Sequence, residues 1–155
     1  MKAIRELNTM AFEAKKRKYK NLPIHAISTK KYNDKTSNGL TTCIIDHLRL
    51  EGWQAERISV TGRYVGGTRL VTDVIGRTKQ IGSAKWISPS MQVGTADIAC
   101  TIQGRSVKIE VKIGRDRQSQ KQIEYQHQVE RAGGIYYIAK DFESFYNWYQ
   151  KLVNN

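Results

Sequence analysis

The amino-acid sequence predicts an α/β fold in which a mixed central sheet is flanked by helices. Three observations predict it. Residues 106–113 alternate polar and apolar at the period of two of a half-buried strand, with Val107, Ile109, Val111 and Ile113 on one face and Glu110 and Lys112 on the other. Residues 38–51 instead space Leu40, Ile44, Ile45, Leu48 and Leu50 at the period of a helix. After a Gln-rich helical stretch ending at Gly133-Gly134, the apolar run Ile135-Tyr136-Tyr137-Ile138 precedes Phe142, Phe145, Trp148, Tyr149 and Leu152, again at helical spacing. The order helix, strands, helix, strand, helix belongs to an α/β sandwich.

Taken in order, the elements start with a basic arm. Residues 1–35 carry ten Lys or Arg against three Asp or Glu, and residues 36–155 carry sixteen against eleven, so the expected division is an arm over 1–35 and a folded domain over 36–155. Residues 2–20 are compatible with a helix, lacking Gly and Pro, and Pro23 closes it. Lys15, Lys16, Arg17 and Lys18 either engage phosphates without reading sequence or form the solvated face of a helix or a disordered tail. Ser37 or Asn38 caps the first core helix and Gly52 stops it.

Residues 53–60 read as a strand. Two β-prone pieces follow, 69–75 and 85–87, broken by Gly62, Gly66-Gly67, Gly76 and Gly82. Here Arg63, Arg69, Arg77, Lys79 and Lys85 outnumber Asp73, which suits either a basic hairpin that clasps a polyanion or an exposed structural hairpin. The run Ile98-Ala99-Cys100 and the strand over 106–113 are joined by the short polar turn Gln103-Gly104-Arg105, so a hairpin brings Asp97 near Glu110. Residues 119–132 form a helix with a thin apolar side of Ile123, Val129 and Ala132. The aromatic stripe after Asp141 serves as packed core or a dimer contact.

Composition narrows the function. A chain of 155 residues with 39% apolar content builds one core, and a formal charge of +12 implies a polyanionic partner, nucleic acid ahead of an acidic membrane. No apolar run approaches membrane-spanning length and the N-terminus has no apolar signal core, so a cytoplasmic enzyme is expected. Cys43 and Cys100, 57 positions apart in apolar settings, read as two free buried thiols, and no zinc-type cysteine pair exists. His25, His47 and His127 are scattered, and Gly66-Gly67 lacks the ending of a nucleotide-binding loop, so ATP dependence is not expected.

The candidate chemistry lies at Asp97, Glu110, Lys112 and Gln122. Two carboxylates and the Val111 carbonyl between Glu110 and Lys112 suffice for Mg²⁺, which takes oxygen ligands and keeps several waters. A nearby ammonium orients the attacking water or offsets charge growing on a transferring phosphate. Blander readings exist: Asp97 as a turn residue bonding local backbone, and Glu110 with Lys112 as an ion pair on an exposed sheet.

Taken together, Gly94-Thr95-Ala96-Asp97-Ile98, Ile109-Glu110-Val111-Lys112, the basic loop Gly114-Arg115-Asp116-Arg117, Ser119-Gln120-Lys121-Gln122 and the glycines before Ile135 resemble the VRR-type nuclease domains of the PD-(D/E)XK superfamily over residues 38–140. The resemblance implies a restriction-endonuclease-like sandwich, with Asp97, Glu110 and the Val111 carbonyl as ligands of Mg²⁺ (Mn²⁺ substituting), Lys112 as the catalytic lysine and Gln122 as a polar support. Phosphodiester hydrolysis in DNA, branched or structured DNA included, would leave a 5′-phosphate and a 3′-hydroxyl. DNA contacts are expected from Lys15, Lys16, Arg17, Lys18, Arg63, Arg69, Arg115 and Arg117, and a homodimer presenting two sites is a further implication. Two departures stand out. The Glu usual near the start of the first core helix is replaced by Asn38 or Gly39, where Asn38 offers an uncharged oxygen to a metal or its water, and Ala96 replaces a common Pro. A non-catalytic DNA-binding protein of the same fold is the alternative, and an RNA-directed protein a third reading.

Overall fold

The structure, a computed structural model, describes residues 2–58, 63–87 and 92–154, and gives no side-chain environment for Arg63. The chain divides into two compact units, residues 1–58 with 94–155 and residues 59–93, so the division does not fall at residue 35.

In the larger unit, helix α1 (Lys2–Lys18) is no detached arm. Ala3 and Leu7 are buried in the core, the Ala3 amide donates to Glu143 Oε2 at 3.1 Å and the Tyr146 hydroxyl donates to Glu6 Oε1 at 2.8 Å. The four cations of its last turn stay exposed. Helix α2 (Ser37–Leu50) follows, capped by Thr36, one residue before Ser37 and two before Asn38, the expected caps, with the Thr36 hydroxyl accepting from the Gly39 amide. Leu40, Ile44 and Leu48 are fully buried, and Gly52 past the helix end takes a φ of 89° that suits glycine.

Four strands form the main sheet in the order β1 (Gln54–Arg57), β6 (Ile98–Ile102), β7 (Arg105–Val111), β8 (Ile135–Ala139), numbered along the whole chain. β1 and β6 pair antiparallel, as do β6 and β7, whereas β7 and β8 are parallel. The β6–β7 turn is tight: Gln103 and Gly104 both have positive φ, 49° and 77°, the geometry of a two-residue hairpin connection. The parallel step needs a crossover, and α3 (Gln120–Arg131) supplies it. Of the expected strand over 53–60, residues 54–57 pair, and residues 59 and 60 lie outside the described residues.

Alternation along β8 places the helices. Tyr137 stacks on Trp148 at 4.2 Å and meets Phe145, both in α4 (Phe142–Asn154), while its neighbour Tyr136 meets Tyr125 of α3 edge-on. Consecutive strand residues point to opposite faces, so α4 and α3 cover opposite faces of a mixed α/β layer structure. Phe142, Phe145 and Tyr149 are buried with Val107, Ile109 and Ala139, which makes the aromatic stripe core. The same core takes in both cysteines, whose thiols are free and pushed up by burial, Cys43 to about 11 and Cys100 to about 12.

The smaller unit holds two antiparallel pairs, β2 (Arg63–Val65) with β5 (Lys85–Ile87) and β3 (Arg69–Thr72) with β4 (Thr78–Ile81). The β-prone pieces over 69–75 and 85–87 each contain a strand, and the partners β2 and β4 were not legible. Polar residues at Arg63, Thr78 and Lys79 and the shortness of these strands erase the alternation that would mark them. Among the described residues, no helix is long and apolar enough to cross a membrane.

Candidate active site

Glu110 sits on the sheet face that α3 covers, one residue from the end of β7, and is 1% exposed. The alternation had offered that face as solvated, with Glu110 and Lys112 an exposed ion pair. Burial removes the reading, because a carboxylate withdrawn from water needs charged or hydrogen-bonding partners. Its Oε1 has two: Lys112 Nζ at 3.1 Å and the Gln122 side-chain amide at 2.5 Å. Its Oε2, also buried, has no hydrogen-bond partner. Burial, and then the negative charge of Asp97, raise the Glu110 pKa, while Lys112 and the nearby Tyr136 hydroxyl oppose the rise.

Asp97 precedes β6 and Val111 ends β7, and the two are joined directly: Asp97 Oδ2 accepts the Val111 amide at 2.9 Å. Asp97 therefore bonds backbone across the hairpin, fourteen residues away, rather than the local turn. The backbone carbonyl of Asp97 accepts the Ile58 amide, which ties the same residue to the end of β1. The carboxylate is thus held at the Glu110–Val111 step.

Lys112 leaves the strand with its amide bonded to the Ala139 carbonyl and its ammonium shared between Glu110 and Asp116, the latter at 3.4 Å. Burial works to lower the Lys112 pKa, but the two carboxylates outweigh it and hold the ammonium above its usual range. It is a fixed cation rather than a proton acceptor.

Gln122 belongs to a capping box. The Ser119 hydroxyl accepts the Gln122 amide, Gln122 Oε1 accepts the Ser119 amide at 2.9 Å, and the remaining Nε2 donates to Glu110. One side chain caps α3 and fixes the carboxylate beneath it. Gly94 brings the Asp97 segment against the same turn of the helix: its φ is 93°, and a Cβ there would lie 2.6 Å from the Lys121 carbonyl oxygen.

Beside Lys112 opens a cavity of about 760 Å³, lined by Arg115, Asp116, Arg117 and Lys140 among others. Arg115 and Arg117 therefore join the site region. Lys140 and Tyr136 had no sequence signal, because β8 reads as a uniform apolar run and only its parallel register on β7, with Glu110 opposite Ile138, brings their face to the site. The other expected contacts belong to α1 and to the smaller unit. In α1, Lys15 Nζ donates to the Ser28 carbonyl and Lys16 lies 3.9 Å from Glu13, while Arg17 and Lys18 are exposed; Arg69 is exposed in the smaller unit.

The Asn38 side-chain oxygen is already engaged. It accepts from an Arg57 amine at 2.8 Å, on the strand residue that pairs with Ile98 beside Asp97. The corner where an acidic helix residue was expected thus carries a guanidinium.

Among the described residues, no group of three or more His, Cys, Asp or Glu side chains converges. The donors that do converge fit a hard divalent cation, since one buried carboxylate oxygen of Glu110 makes no hydrogen bond within bonding distance and a second carboxylate stands close enough to repel it. No known family model and no curated protein matches the chain.

Proposed function

We propose that this chain is a divalent-metal-dependent DNA endonuclease with a restriction-endonuclease-like sandwich fold. The observation that carries the reading is the buried Glu110 carboxylate, held through Oε1 by Lys112 and Gln122 with Oε2 left without a partner beside Asp97. Such an arrangement costs stability in a purely structural protein, because a buried charge with an unpaired oxygen is penalised and a nonpolar residue would pack there at less cost. The motif order that resembles the VRR-type nucleases supports the same reading, as does the charge of +12.

Asp97, Glu110 and the Val111 carbonyl would hold the cation. A Mg²⁺ or Mn²⁺ ion held by these groups would supply Lewis-acid polarisation of the phosphate and of the attacking water. The rest falls to the chain. Lys112, fixed between two carboxylates, presents its ammonium to the attacking water or to the charge that grows on the phosphate in the transition state. Gln122 keeps Glu110 in one rotamer. Arg115, Arg117 and Lys140 receive flanking phosphates in the cavity and set the strand's position without reading bases. Attack of a water oxygen on phosphorus with departure of the 3′-oxygen yields a 5′-phosphate and a 3′-hydroxyl.

A second reading, a DNA-binding protein without catalysis, draws on Asn38, which stands uncharged where an acidic ligand is usual and whose side-chain oxygen is engaged by Arg57. A plasmid-nicking assay with Mg²⁺ or Mn²⁺ separates the two. Wild type is expected to nick, with Asp97→Ala and Glu110→Ala losing cleavage while retaining DNA binding; undiminished cleavage by Asp97→Ala would overturn the assignment.

A further inference from the structure

The smaller unit carries a feature that a nuclease site does not require. The β3–β4 hairpin ends in Asp73-Val74-Ile75-Gly76, and its two central residues are apolar, with Val74 104% and Ile75 70% exposed. Hairpin tips ordinarily hold Gly, Asn, Asp or Ser, which suit the backbone and water. A floppy tip could fold such side chains back, but this one is locked. The Asp73 carboxylate accepts the Ile75 amide at 3.1 Å and the Arg77 amide at 2.8 Å. Backbone bonds between Asp73 and Arg77 and from Gly76 to Asp73 close the turn, and Gly76 takes the positive φ of 80° that it needs. The result is a rigid β-ribbon that holds two β-branched side chains out at its end.

The ribbon's charge indicates its partner. Residues 63–87 contain five Arg or Lys and one acid, and that acid, Asp73, is occupied by the turn. A basic ribbon with an apolar point matches nucleic acid, where cations track phosphates and an apolar wedge enters between bases. A second copy of this chain, itself at +12, matches it poorly.

We propose that the Val74–Ile75 tip is a wedge that inserts at a base step of the DNA substrate and unstacks it. This rests on DNA being the substrate and deepens it: a wedge favours DNA whose stacking is already interrupted, at a branch, nick or mismatch, because unstacking there costs least.

The test uses the full chain carrying Glu110→Ala, so that no strand is cut, and DNA with 2-aminopurine at a three-way branch point or within an intact duplex. Binding to the branched DNA is expected to raise 2-aminopurine fluorescence severalfold. In V74T/I75T, which keeps the shape near the backbone and makes the tip polar, the rise should disappear while the slope of affinity against salt stays the same. An equal rise in V74T/I75T, or binding with no rise in either protein, overturns the wedge. So does a dimer in sedimentation that V74T/I75T converts to monomer, since the tip would then dock on protein. The two readings fail separately: a rise without cleavage by the wild-type chain sinks the nuclease and keeps the wedge, whereas cleavage without a rise sinks the wedge alone.

Discussion

The main sheet and the two small sheets are built from similar residues and meet opposite fates. β6 and β7 interleave Ile, Val and Cys with polar residues, and nearly every apolar side chain is buried. β3, β4 and β5 carry Leu70, Val71, Ile81, Trp86 and Ile87, and all of them are exposed. The difference is the presence of helices. α2 and α4 on one face and α3 on the other convert β7 into a place where a carboxylate can be dried and aimed, while a two-stranded ribbon covered by nothing within its own unit can only present what it carries. Burial desolvates a carboxylate in one case, and exposure leaves apolar side chains in water in the other.

The largest contrast is in stability. Ile109→Ala, which empties a fully buried position in β7, is expected to cost about 2 to 5 kcal/mol in urea unfolding. Leu70→Ala, an apolar strand residue 73% exposed, should change stability by less than about 0.5 kcal/mol. A comparable loss at both positions would mean that the ribbon is covered in solution and that the two regions are not opposites.

Lys112 sharpens the contrast through the proposed cleavage. Lys112→Ala should slow single-turnover cleavage roughly a hundredfold or more at saturating DNA and metal, equivalent to about 2.7 kcal/mol, with metal affinity little changed. Arg at the same position keeps the charge without the compact ammonium and should recover only part of the rate. Wild-type rates in both would reduce Lys112 to a partner of Glu110.

The helix-covered face opposite the site holds a titrating group of its own. His47 is 1% exposed, has no hydrogen-bond partner on either ring nitrogen and is edge-on to Phe142, Phe145, Tyr146 and Tyr149. Burial lowers its pKa from 6.5 to about 4, against a small opposing pull from Glu6. Below pH 6.5 the unfolded chain takes up a proton that the folded chain refuses, so the His47 contribution is intact above that pH and is lost as pH falls toward 4. Between pH 8 and pH 5 this amounts to about 2 kcal/mol, and His47→Phe should remove that part of the slope in pH-dependent unfolding. An unchanged slope would assign it to other groups.

The smallest effect concerns the end of α1. Deleting the segment would remove Ala3 and Leu7 from the core and confuse folding with binding. Replacing Lys15, Lys16, Arg17 and Lys18 together by Gln keeps the helix and should lower the slope of log affinity against log salt by up to about 4, roughly one per lost phosphate contact. No change in slope would place that end of the helix off the DNA.

The sequence by itself determined the α/β order, the tight turn that forms the Asp97–Glu110 hairpin, the buried cysteines and the roster Asp97, Glu110, Lys112, Gln122. Periodicity, turn chemistry and charge are local, and a reader of residues can see them. It left open whether Glu110 faced water, which helix face met it, and whether residues 1–35 were a tail. Those depend on what packs against what. Only the tertiary structure decided that α3 buries Glu110 through a capping glutamine, that Arg57 engages Asn38, that parallel pairing of β8 brings Tyr136 and Lys140 to the site, and that Ala3 and Leu7 tie the first helix into the core. The physical reason is that desolvation belongs to no residue alone: a carboxylate becomes a reactive site when elements distant in sequence exclude water from it and supply its partners.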